Sequence, residues 1–139
     1  MSNITITKEE IQAIFPKVAE IIADALGCDE EDVKPDSSLI NDLGAESIDF
    51  LDFVFRLERT FKVKIPRGKI VEDARGSLGE GEFESGGVVS EAGVAQLKAY
   101  LDEVPADRFP ATLKSADIAR LFTVETFCKT VIRQQKAAS

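Results

Sequence analysis

The sequence predicts an all-α protein, and three observations carry that prediction. Apolar residues recur at a helical period in three stretches: Ile11 to Leu26, Phe50 to Phe61 and Val124 to Ile132. Helix-starting residues stand just ahead of each stretch, at Thr7, Ser47 and Thr123. The apolar–polar alternation of a strand is absent, with Val88-Val89 the one short exception.

Residues 1–6 read as a short tail. Thr7 and Glu10 then make a capping box, each side chain meeting the other residue's backbone N–H. The first helix carries Ile11, Ile14, Phe15, Val18, Ile22, Ala25 and Leu26 on its apolar side and ends near Gly27. Pro16 lacks an N–H, so it is expected to kink this helix or split it. Asp29 to Asn41 is a polar loop that Val33, Leu39 and Ile40 pin to the core. Its acidic run, Asp29-Glu30-Glu31-Asp32, reads as a solvated turn or one extra helical turn.

The second helix covers residues 47–61. At about 100° per residue, Phe50, Phe53, Val54, Leu57 and Phe61 share a core face. Asp49, Asp52, Arg56 and Arg59 lie opposite, and Ile48, Leu51 and Phe55 form a second apolar strip beside those charges. One buried face does not require such a strip. It is either covered by another part of the chain or used to dock a partner. Ile65-Pro66 closes this region.

Residues 67–121 are an insert before the last helix. Within it, residues 72–89 are rich in glycine and glutamate and read as a flexible loop. Ser90 caps a helix with Val94, Leu97, Leu101 and Val104 on one face. Ser115 starts a short helix through Leu121. The last helix begins at Thr123, with Val124, Phe127, Cys128, Val131 and Ile132 as its buried stripe.

A chain of 139 residues with 44% hydrophobic content is expected to fold as one domain, 1–139. The net charge of −8 argues against nucleic-acid binding and favours basic protein partners. With no histidine, Ser-His and Cys-His nucleophile pairs and His-ligated metals are excluded. Cys28 and Cys128 form no metal-ligand spacing and read as small hydrophobes rather than reactive thiols, with a disulfide between them left open by the sequence. No catalytic or metal site is expected. No apolar run approaches membrane-spanning length, and no signal peptide is seen, so the expected place is the cytoplasm, without stable membrane insertion.

One stretch organises the rest: Asn41-Asp42-Leu43-Gly44-Ala45-Glu46-Ser47-Ile48-Asp49. It reads as a loop that ends at a serine and opens a helix. Gly44 permits a tight turn. Ser47 lies at or beside the helix N-terminus, where backbone N–H groups favour negative charge. Ser47 can be a plain cap there, or its hydroxyl can carry a phosphate ester.

This stretch resembles the attachment site of acyl carrier proteins, whose Asp-Ser-Leu follows an Asp-Leu-Gly loop. Glu46 and Ile48 depart from that pattern while keeping charge and bulk. The resemblance covers residues 16–66 well and 115–135 loosely. It implies a four-helix-bundle acyl-carrier-like fold with an extra loop-plus-helix insert between the second and last core helices. It further implies a non-enzymatic carrier holding acyl groups as thioesters on 4′-phosphopantetheine attached to Ser47. A phosphopantetheinyl transferase would install that arm. Synthase or acyl-transferring enzymes with basic patches would dock on Glu46, Ile48, Asp49, Leu51, Asp52, Phe55 and Glu58 of the monomeric protein. The insert points to a specialised fatty acid or lipid pathway. A polyketide or aminoacyl carrier, or an acidic helical interaction module without carrier function, are the other readings.

Overall fold

The computed structural model describes residues 6–66 and 68–138, and of Ser47 and Ala138 the backbone alone. The tail at 1–5 and Arg67 lie outside the described residues. The all-α expectation holds. The chain divides into two compact units, Met1–Ile65 with Thr123–Ser139, and Pro66–Phe122. Each unit has buried apolar residues of its own.

The first unit is built from α1 (Lys8–Leu26), α2 (Ser47–Phe61) and α6 (Val124–Ala138). Thr7 caps α1 as expected: Glu10 N–H donates to Thr7 Oγ1 at 3.2 Å, and Thr7 N–H donates to Glu10 Oε1 at 2.9 Å. Helix α1 runs unbroken through Pro16 rather than splitting there. What proline removes is one N–H that Gln12 would otherwise receive, and the flanking turns hold. Val18, Ile22, Phe53, Leu57, Val124 and Val131 are fully buried among the three helices. Phe50, Phe53 and Phe127 form an aromatic cluster with ring centroids 5.8 to 6.3 Å apart. Each such side chain contributes on the order of 1.5–3 kcal/mol by leaving water.

The loop between α1 and α2 is ordered by its own backbone. Glu30–Asp32 forms a single 3-10 turn, and Val33 and Leu39 are buried. Carbonyls of this loop also satisfy the start of α6: Val124 N–H donates to Ser37 at 3.1 Å and Glu125 N–H to Pro35 at 2.9 Å. These are donors that a helix start leaves without an internal partner.

The second unit holds α3 (Lys69–Arg75), α4 (Glu80–Phe83), the strands β1 (Glu84–Ser85) and β2 (Val88–Val89), and α5 (Glu91–Tyr100). Two 3-10 stretches follow, Ala106–Arg108 and Ser115–Leu121. Residues 72–89, expected as a flexible loop, carry regular structure instead. The strands pair antiparallel, Glu84 with Val89 and Ser85 with Val88. Gly86 and Gly87 both take positive φ, 61° and 81°, as a two-residue hairpin turn of this twist needs. Glycine served here as turn chemistry rather than as a source of flexibility. Ser90 caps α5 as expected, accepting from Gly93 N–H at 3.0 Å. Helices α3 and α4 pack on α5. Leu97, Leu101 and Leu113 are buried at this unit's centre.

Candidate functional site

The candidate site is the loop leading into α2. Asp42 Oδ2 accepts from Ser38 N–H at 2.7 Å, while Ser38 O accepts from the amides of Asp42 at 3.0 Å and Leu43 at 3.1 Å. Ala45 N–H donates to Leu39 O at 2.8 Å, and Ala45 is buried. Gly44 completes the turn with φ 74°, a conformation L side chains rarely adopt. The loop therefore delivers the chain to the start of α2 at a set position.

Ser47 is the first residue of α2, and Glu46 is its N-cap. The serine was expected at or beside that end; the cap position itself belongs to Glu46. Any cap made by the Ser47 side chain lies outside the described atoms. Asp49 Oδ2 accepts from Glu46 N–H at 2.7 Å, and Asp49 N–H donates to Glu46 O at 2.9 Å. Gly44, Glu46 and Ile48 are exposed around this turn. The start of a helix carries the positive end of the helix dipole.

Down the helix, the apolar strip is open: Ile48 is 71% exposed, Leu51 55% and Phe55 56%. Burial under another part of the chain, one of the two readings of this strip, is not what the first unit displays. The acids expected for docking differ in their engagement. Glu46 and Asp49 stand at the helix start. Asp52 pairs with Arg56 at 3.1 Å, and Arg56 also reaches Asp24 on α1 at 2.9 Å. Those carboxylates raise the Arg56 pKa, first through the hydrogen bond that Arg56 donates to Asp52. Glu58 turns inward, its Oε2 accepting from Ile65 N–H at 2.7 Å.

Sequence reasoning missed the basic end of this face. Arg59, Lys62 and Lys64 are exposed around the end of α2, and the Arg59 guanidinium lies 5.4 Å from the Phe55 ring centroid. Lys62 ends the helix in the left-handed region at φ 56°. The run Lys62-Val63-Lys64, just past the end of the helix, is the signal for it in the sequence.

The two cysteines are free. Burial pushes the Cys128 thiol up to about 12, so it behaves as a packed hydrophobe. Among the described residues no cluster of metal-ligating side chains occurs, and no helix is long and apolar enough to cross a membrane.

Residues 16–75 match the family model described as the phosphopantetheine attachment site. The chain is 50% identical over 56 residues to the acyl carrier protein AcpXL of Rhizobium meliloti (strain 1021), covering 40% of this chain and 59% of that protein. It is 45% identical over 56 residues to AcpXL of Brucella melitensis biotype 1, covering 40% and 60%. To the acyl carrier protein of Clostridium acetobutylicum it is 45% identical over 53 residues, covering 38% of this chain and 69% of that one. The chain thus spans about 60% of the length of the AcpXL relatives named here. The family match ends with α3, which packs on α5 within the second unit. On these grounds the chain belongs to the acyl carrier protein family, non-enzymatic carriers, and its cofactor is covalently bound 4′-phosphopantetheine.

Proposed function

We propose that Ser47 carries the 4′-phosphopantetheine and that the protein presents acyl groups to enzymes of a specialised fatty acid or lipid pathway. The observation that carries this reading is the place of Ser47 as first residue of α2, directly after a loop fastened by Asp42 and turned by Gly44. The helix start favours the phosphate's negative charge. When bound, the arm supplies a terminal thiol that holds an acyl group as a thioester. This chain's residues tether and orient; they abstract no proton. A separate phosphopantetheinyl transferase brings the base and Mg²⁺.

Enzymes with basic patches dock on Glu46, Asp49 and Asp52, with Ile48, Leu51 and Phe55 supplying apolar contact. The exposure of that strip supports this. Steering by charge suits brief, repeated encounters, and the tether raises the local concentration of the acyl group. Glu58 is a weaker member, because its carboxylate is occupied by Ile65. The specialised pathway is supported by the 66–122 unit, which a minimal carrier has no counterpart for beyond a short helix. The protein acts as a monomer in the cytoplasm under this reading.

Incubation with coenzyme A and a phosphopantetheinyl transferase, followed by mass spectrometry, tests it. Modification is expected at Ser47 and is absent from Ser47→Ala. A chain that stays unmodified with several transferases sinks the tether. Mass analysis of protein isolated from its source then identifies the acyl group; a polyketide or aminoacyl unit there would overturn the lipid pathway alone.

A further inference from the structure

We infer that the end of α2 distal to Ser47 is a second docking point, which takes a carboxylate-bearing segment of a partner protein. This rests on the reading of α2 as the docking helix. A groove of about 290 Å³ lies there, lined by Phe55, Glu58, Arg59, Lys62, Val63 and Lys64. All three of its cations are exposed, and among the described residues none of them forms an ion pair. The single acid of the groove, Glu58, is held by Ile65 N–H. The helix dipole accounts for cations at Arg59 and Lys62. It does not account for Lys64, which lies beyond the helix, or for the exposed Phe55 under Arg59.

The exposed face of α2 is therefore two-signed. Acids Glu46 and Asp49 stand at the Ser47 end, and cations stand about 18 Å further along, at 1.5 Å per residue over residues 47–59. Ile48, Leu51 and Phe55 run between them. A complementary surface is basic at one end, acidic at the other and apolar in the middle. Such a pattern sets the direction in which a partner lies on the helix and rejects surfaces that are basic throughout. An anionic membrane does not fit, because Glu46 and Asp49 on the same face would repel it.

The test is an NMR titration of the full-length ¹⁵N-labelled protein with a capped amphipathic peptide. The peptide bears glutamates beside leucine and phenylalanine. The amides of residues 55, 58, 59 and 62–64 are expected to shift. Arg59→Glu with Lys64→Glu should weaken apparent affinity roughly tenfold, and the milder Arg59→Gln with Lys64→Gln roughly threefold. Lys62 is left intact because its left-handed backbone makes substitution there structurally confounding. A peptide with glutamine for glutamate should bind distinctly more weakly.

Four results would overturn the inference. In the first, the glutamine peptide shifts the same amides equally, so that only the apolar contact counts. In the second, the shifts arise on concentrating the protein alone, which identifies a second copy as the occupant. In the third, vesicles containing phosphatidylglycerol produce them while the peptide does not. Arm attachment at Ser47 is measured on the same variants. A groove that stays silent while Ser47 loads normally defeats this inference and leaves the tether standing.

Discussion

Arg56 bridges two helices: its guanidinium lies 2.9 Å from Asp24 on α1 and 3.1 Å from Asp52 on its own helix. This relationship separates Asp52, whose carboxylate is paired with a cation, from Asp49, whose carboxylate accepts from the Glu46 amide. Asp52 has its charge partly cancelled by a neighbour one turn away, whereas Asp49 faces no cation among the described residues. The two positions should not contribute equally to recognition. At low salt, Asp49→Lys is expected to slow arm attachment by a transferase roughly tenfold. Asp52→Lys should slow it several-fold less than that in the native background, and by an amount nearer that of Asp49→Lys in an Arg56→Ala background, because removing the guanidinium uncovers the Asp52 carboxylate. Attachment rates at several salt concentrations check both, and salt should shrink each difference. Equal slowing at positions 49 and 52 in the native background would show that the pairing has no consequence for docking.

The Asp42 carboxylate fastens the loop ahead of Ser47 through Ser38 N–H. Asp42→Ala should cost about 1 kcal/mol, in the range of a lost side-chain cap. It should also slow arm attachment without abolishing it, since the loop keeps its backbone hydrogen bonds to Ser38, Leu39 and Ile40. Urea unfolding and attachment kinetics on the same preparation separate the two effects. Unchanged stability would mean that the backbone bonds alone hold this loop.

Gly93 tests the packing of the second unit. A Cβ built there would lie 2.4 Å from Phe83 O and 2.7 Å from a Val89 methyl. The first contact is backbone, so relief requires α5 to move away from the hairpin. Gly93→Ala is expected to destabilise this unit by about 2–3 kcal/mol. Hydrogen exchange at α5 and at the amides of Val89 and Ser90 should accelerate accordingly. A Gly93→Ala protein with native exchange rates there would refute the close packing of α5 on Phe83.

Much of the carrier unit was legible in the sequence because helices announce themselves locally. Thr7 with Glu10, the period of Phe50 through Phe61, and Ser90 ahead of Val94 all act within a few residues. The hairpin at Glu84–Val89 was not legible. Its strands are two residues long, too short to show alternation, and Gly86-Gly87 was counted as composition rather than as a turn. The Arg56–Asp24 pair joins residues 32 apart in sequence, a separation no local pattern reports. The hold of Ile65 N–H on the Glu58 carboxylate was not legible either, because the partner is a backbone amide seven residues away.

Cysteine reactivity offers an independent check on the core of the first unit. Cys128 is fully buried on α6 with its thiol pushed up to about 12 by desolvation, whereas Cys28 is half-buried just beyond α1. The thiolate is the reacting species. A maleimide should label Cys28 in the native protein and reach Cys128 only when denaturant unfolds it. Mass spectrometry of timed samples reads the order. Labelling of Cys128 in native buffer at the rate of Cys28 would contradict the packing around α6.

The last prediction concerns acid stability. Lys136 Nζ lies 2.8 Å from Glu10 Oε2, tying the end of α6 to the start of α1. The hydrogen bond from Lys136, and next that from Thr7 N–H, hold the Glu10 carboxyl below the ordinary glutamate range. A carboxyl whose folded-state pKa is lowered adds stability that is complete above its unfolded value, about 4.3. That stability is lost as pH falls through the lower, folded-state value. Glu10→Gln should therefore make the melting temperature fall less steeply below about pH 4.3. Lys136→Met should do most of the same, because Lys136 is the larger cause. The pair is exposed, so high salt should weaken the effect in the native protein. Melting curves taken from about pH 6 downward decide the matter. If both variants keep the native slope on the acid side, the Glu10–Lys136 contact does not persist in solution.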